Sequence, residues 1–150
     1  MTHPAAIRFT ETDLDRLAAH SGRIALLADG PVAMTPAARR LDRAMKGALA
    51  RALSSEAFGK LKPGEAMELA FPAGLEAESL QVVRLPKRTD PASARKAGGA
   101  IGRALSKADL LVVAETHPRA AEVSFGLAMR AYDFTAHKTG EQSAKGAVEM

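Results

Sequence analysis

The chain has no cysteine and no tryptophan, and aromatic residues make up only 4% of it. Without thiols there can be no disulfide, no thiol nucleophile and no thiolate metal site, and the composition suits a cytoplasmic protein. With so few rings, the core must be built from Leu, Val, Ile, Met and much Ala. No apolar run approaches the ~20 residues of a membrane span, so no membrane partner is expected. The opening residues, MTHPAAIRFTETD, lack a basic region followed by an apolar stretch, so no secretory signal is expected either.

Catalytic patterns are missing as well. The four histidines, His3, His20, His117 and His137, form no helical His pair and no HExxH motif. There is no GxSxG elbow and no Gly-Lys-Ser/Thr phosphate loop. Nothing assembles a nucleophile, a base and an orienting group.

What remains is an ordinary globular composition. Of 150 residues, 47% are hydrophobic and 25% charged, enough for one domain with a real core. The formal net charge is +4, and the cations are spread along the chain rather than gathered in one run.

Periodicity and punctuation then order the elements. A short strand is expected around Ala6–Phe9, then a turn or short helix carrying Leu14, Leu17 and Ala18. The apolar stretch 23-RIALLA-28 reads as a strand ended by Asp29-Gly30-Pro31. Thr35 and Pro36 open a helix by capping and by a preset φ. Leu41, Met45, Leu49 and Leu53 recur every four residues along it as one buried stripe. Arg39, Arg40, Arg43, Lys46 and Arg51 project from its other side, a candidate nucleic-acid face. The stretches 66-AMELAF-71 and 79-SLQVVRL-85 read as neighbouring, antiparallel strands joined by a short connection.

Asp90-Pro91 repeats the cap-plus-proline signal for a helix that ends near Ser106. The strand 109-DLLVVAE-115 follows, apolar without alternation, as expected for a strand covered on both faces. Strand 79–85, helix 91–106 and strand 109–114 thus form a right-handed βαβ unit. Inside that helix, 96-KAGGAIGRAL-105 could cradle a phosphate or mark close packing. Gly98 lies about two turns past the cap, where backbone N–H groups are already bonded within the helix. The glycines therefore read as flat spots that let the helix lie close to strand 109–114 or its neighbours.

His117-Pro118 opens a last helix. Glu122, Gly126, Arg130 and Asp133 share a polar edge there with Arg119, and Val123, Phe125, Leu127, Met129, Ala131 and Phe134 cover most of the rest. Such a helix should be largely enclosed, or packed on something outside the chain. From Thr139 the sequence turns small and polar. This divides a domain of residues 1–138 from a linker, or the start of a further element, at 139–150. The fold class is α/β, a three-layer α/β/α arrangement with a mixed, mostly parallel sheet. By the rule that open α/β sheets bind ligands beyond their strand ends, Asp29, Gly30, Glu115, Thr116 and His117 form a candidate ligand rim.

The stretch 121-AEVSFGLAMRAYDFTAHKT-139 resembles the end of the N-terminal domain of the leucyl (cytosol) aminopeptidase family. Gly126, Tyr132, Phe134, Lys138 and Thr139 match the family pattern, and His137 departs from it where a Tyr is usual. The order of elements is similar over roughly residues 5–139. The resemblance implies a macro-domain-like fold and a non-catalytic domain supporting oligomer assembly and substrate access. It implies as partners a C-terminal catalytic domain and the other subunits of a homo-hexamer. The family's two divalent metals, zinc or manganese, would be held by that catalytic domain, and no cofactor is expected in this segment. Alternative readings are a macro-like module binding a nucleotide such as ADP-ribose, or a DNA-binding accessory domain.

Overall fold

The computed structural model describes residues 7–11, 13–115, 117–136 and 148–150, with the backbone alone for 132–136. The elements in chain order are β1 (Ile7–Arg8), β2 (Arg23–Ala28), α1 (Pro36–Ala44), α2 (Ala48–Leu53), α3 (Glu56–Gly59), β3 (Ala66–Ala70), β4 (Ser79–Arg84), α4 (Pro91–Arg103), β5 (Leu110–Val113), α5 (Ala120–Ala136) and β6 (Val148–Glu149). The strands form one sheet in the order β1-β6-β5-β2-β4-β3. Every described pairing is parallel except β3 with β4. The connection from β4 through α4 to β5 passes over β2, which lies between them.

Alternation along the strands divides the core in two. Ile24, Leu26, Leu80, Val82 and Val113 face the layer made by α1, α2 and α3, together with Leu17. Ala25, Leu27, Val83, Leu110 and Val112 face α4 and α5. β2 and β4 are buried on both sides, which is why their sequences carry apolar residues at successive positions. The architecture is therefore three-layer α/β/α, as the sequence predicts. Among the described residues no helix is long and apolar enough to cross a membrane.

The helix predicted from Thr35 is two helices. Thr35 does cap α1, its side chain accepting from the Ala38 N–H. The chain then turns at Lys46 (φ 54°) and Gly47 (φ 86°), both in the left-handed region. Gly47 N–H donates to the Asp42 carbonyl, closing a C-terminal cap, and the Asp42 carboxylate accepts from Ala50 N–H at 2.8 Å to start α2. The four-residue stripe survives the break: Leu41, Met45, Leu49 and Leu53 are all buried. Period alone did not reveal the kink because the burial pattern runs straight through it. From the other side of this layer, Arg84 of β4 donates to the carbonyls of Gly59 and Leu61 at 3.1 and 2.6 Å, satisfying groups at and beyond the end of α3.

The glycines of α4 do mark close packing, but their partner is α5 rather than the strand. A Cβ on Gly98 would overlap the Val123 carbonyl and lie 2.7 Å from the Leu127 nitrogen. One on Gly102 would lie 3.0 Å from both the Leu127 oxygen and Arg130 Cβ. Reciprocally, a Cβ on Gly126 would overlap the Arg95 carbonyl. Gly126 is thus at the buried contact and not on a polar edge. Val123, Leu127 and Ala131 are buried with it, whereas Phe125 and Met129 are 54% and 48% exposed. Gly99 has open space where a Cβ would go.

Composition sets residues 139–150 apart from the domain, yet Val148 and Glu149 pair with both β1 and β5. Val148 is buried in the core. A two-residue strand is too short to show a pattern in the sequence. Positions 139–147 lie outside the described residues.

Two outcomes follow. Gly98→Ala and Gly126→Ala should each destabilise the fold by roughly 1–3 kcal/mol through overpacking. Gly99→Ala, on the same helix, should raise stability by up to about 1 kcal/mol through helix propensity; urea unfolding of the three variants checks the contrast. Second, Asp90 caps α4 by accepting from Ser93 N–H at 2.7 Å. That hydrogen bond is the main cause holding its pKa below the ordinary 3.8. A depressed carboxylate stabilises the fold above its unfolded pKa and loses that contribution as pH falls through the folded one. The stability gap between the native chain and Asp90→Asn should therefore be flat above the ordinary carboxylate range and shrink in more acidic solution.

Candidate functional site

Because β5, β2 and β4 are parallel neighbours, their C-terminal ends emerge on one side of the sheet. The three loops that leave them, together with the start of α1, surround a cleft of about 550 Å³. Its inner wall is apolar, with Leu27, Met34, Leu85 and Val113. Val32, at its edge, is 95% exposed. A smaller cavity of about 250 Å³ lies between residues 10–21 and the strands β5 and β6, where Arg16 stands 3.9 Å from Glu149.

Of the predicted ligand rim, Asp29, Glu115 and His117 line the larger cleft. Gly30 follows Asp29 in the chain with φ 141° but does not line it. Thr116 lies outside the described residues. Glu115 has φ 48°, a left-handed conformation that costs a residue with a Cβ on the order of 1 kcal/mol.

The predicted nucleic-acid face is divided between α1, the turn after it and α2. Arg39 turns to the cleft. Arg40 is paired with Asp15 at 2.9 Å. Lys46 sits in the left-handed break between α1 and α2, so Arg51 belongs to a different helix from Arg39, Arg40 and Arg43. Conversely, the cleft recruits Lys87 and Arg88, which the sequence-based rim leaves out. The signal was available: they follow the Pro86 that ends β4, at the same kind of strand end that singled out residues 115–117.

His117 is a brace. Its Nδ1 accepts from Arg119 N–H at 3.0 Å, so Nε2 carries the proton and donates to the Pro86 carbonyl at 3.1 Å. Arg119 reinforces the link, its Nε donating to the Thr89 carbonyl at 3.2 Å and its guanidinium standing 3.5 Å from Glu122. These bonds tie the β5–α5 loop to the β4–α4 loop across β2, the strand between them. With both ring nitrogens engaged, His117 positions the wall of the cleft and has no free nitrogen for a ligand.

The described residues do not fit a metal centre. Among those described, no three His, Asp or Glu side chains gather where they could hold an ion. A two-metal site needs several carboxylates converging on ions ~3.5–4 Å apart.

Comparison with known proteins places this geometry. The model for the N-terminal domain of the cytosol aminopeptidase family matches residues 25–141. A probable cytosol aminopeptidase of Cereibacter sphaeroides is 61% identical over 150 residues, covering 100% of this chain and 31% of its own length. One from Dinoroseobacter shibae is 44% identical with the same coverage. The chain thus spans about a third of the length of these relatives. Among solved structures, the macrodomain of Mycobacterium tuberculosis DarG is similar with a TM-score of 0.65 at 11% identity, covering 97% of both chains. A Trypanosoma brucei macrodomain in complex with ADP-ribose gives 0.62 at 14% identity, covering 88% of this chain and 58% of its own. At such identities the likeness shows a macrodomain-like fold and nothing further.

Replacing His117 by Ala should cost roughly 1–3 kcal/mol, since it strips a donor from one backbone group and an acceptor from another. Urea unfolding reads the loss, and faster hydrogen exchange at the Arg119 amide locates it. In the native chain, ring nitrogen NMR should show the Nε2-protonated tautomer; a proton on Nδ1 would contradict the brace.

Proposed function

The chain belongs to the cytosol aminopeptidase family as its N-terminal domain, and from that premise we propose that it is a non-catalytic accessory domain of a longer, metal-dependent exopeptidase of the cytoplasm. Its role is to support oligomer assembly and substrate access beside a C-terminal catalytic domain that holds the zinc or manganese. The observation that carries this reading is the combination of reach and chemistry. The chain aligns end to end with relatives of which it covers 31%. Its described residues offer no cluster of metal-binding side chains. The exposed pair Phe125 and Met129, one turn apart on α5, supports a contact outside the domain.

The ADP-ribose of the trypanosomal macrodomain is not carried over to this chain. Two carboxylates, Asp29 and Glu115, line the strand-end cleft of this chain. No glycine directly follows β4 or β5 to bring backbone N–H groups onto a diphosphate.

The purified 150-residue chain, shown to be folded by circular dichroism, should not hydrolyse a leucine amide substrate with added zinc or manganese. Metal-dependent turnover would sink the proposal. In the 61% identical relative, removing the matching N-terminal third should reduce the oligomer seen by light scattering; an unchanged assembly with unchanged activity would remove the accessory role.

A further inference from the structure

The strand-end cleft has a charge pattern that no feature of the accessory role requires. Its ionised side chains follow the order of the strands beneath them. Glu115 stands at the end of β5 and Asp29 at the end of β2, while Lys87 and Arg88 stand beyond the end of β4. Arg39 also lines the cleft, from the first turn of α1. One side of the cleft is thus anionic and the other cationic. Although these five side chains line a single cleft, none makes an ion pair or side-chain hydrogen bond with any described residue. Between the two ends lies an apolar wall that includes Leu27, Met34 and Val113.

The geometry points to a small dipolar ligand: a short peptide with free amino and carboxyl termini. Its ammonium group would sit with Glu115 and Asp29, and its carboxylate with Lys87 and Arg88. Apolar side chains would lie along the wall and under Val32. Charge-assisted bonds at each end set orientation, and apolar burial supplies the remainder of the affinity. The volume of about 550 Å³ falls within the ordinary range of small-molecule sites. A purely anionic ligand such as a nucleoside diphosphate would meet two carboxylates, and a purely cationic one would meet three cations. Only a dipole is matched at both ends. The inference does not depend on the accessory role, since a catalytically silent domain and a catalytic one could hold the same ligand.

Isothermal titration of the full chain with the dipeptide Leu-Leu tests it, beside N-acetyl-Leu-Leu, Leu-Leu amide and ADP-ribose. Leu-Leu should bind saturably, and blocking either terminus should weaken it by at least about tenfold, the effect of losing one charge-assisted hydrogen bond. The double variant Asp29→Asn, Glu115→Gln should lose the preference for a free amine and keep that for a free carboxylate. Lys87→Ala with Arg88→Ala should do the reverse. These side chains lie outside the core clusters, and unchanged circular dichroism will show that the variants fold. Absence of heat up to millimolar Leu-Leu would overturn the inference. So would equal binding of free and blocked peptides, or a response to ADP-ribose alone.

Discussion

The contact on which this architecture rests is the crossing of α4 and α5, where each helix sets a glycine beneath the other's backbone. Gly98 and Gly102 meet the turns that begin at Val123 and Leu127, and Gly126 meets the Arg95 carbonyl. The exchange is reciprocal, so neither helix can carry a side chain there without moving the other. Each glycine costs about 1 kcal/mol of helix propensity relative to alanine. Close approach repays this with many small dispersion contacts along the shared length. It also brings Val123, Leu127 and Ile101 into one cluster with Ala25, Val83 and Val112 of the sheet. Two helices pressed this tightly act as one slab.

That slab delivers the functional loops. α4 and α5 follow β4 and β5, which are not neighbours, because β2 lies between them. If the helices separated, the loops that precede them would separate as well. Close packing keeps them near enough for His117 to reach the Pro86 carbonyl and for Arg119 to reach that of Thr89. The cleft wall is then held by backbone carbonyls on one loop and side chains on the other. A glycine inside a helix thus governs, through packing, a charge pattern at the far end of two strands.

Much of this was legible in the sequence, for identifiable reasons. β2 and β4 could be read because strands buried on both faces advertise themselves as unbroken apolar runs. α1 and α4 could be read because Thr35 and Asp90, each followed by proline, leave few other conformations open. Asp29, Glu115 and His117 could be placed near a cleft because they end strands. The misreadings have equally physical sources. The break at Lys46–Gly47 preserves the buried stripe, so periodicity cannot register it. The partner of Gly98 is a tertiary fact: a flat spot on a helix suits a strand or a helix equally well, and only the fold decides. Gly126 looked polar because its neighbours at that spacing are charged. Lys87 and Arg88 carry no local pattern of their own and reach the cleft only because three strand ends converge.

The distinction between fold and site is sharpest at that convergence. The fold is similar to that of macrodomains at 11–14% identity, so the architecture persists when almost every side chain has changed. In this chain one loop has become a brace, with both nitrogens of His117 committed to backbone groups. The loops around the cleft also carry opposite charges that make no ion pair with any described residue. Exposed ion pairs contribute only about 0–1 kcal/mol, so folding neither requires nor forbids this arrangement. The fold therefore accounts for where the cleft is, and the unpaired charges are the part of it that folding does not explain.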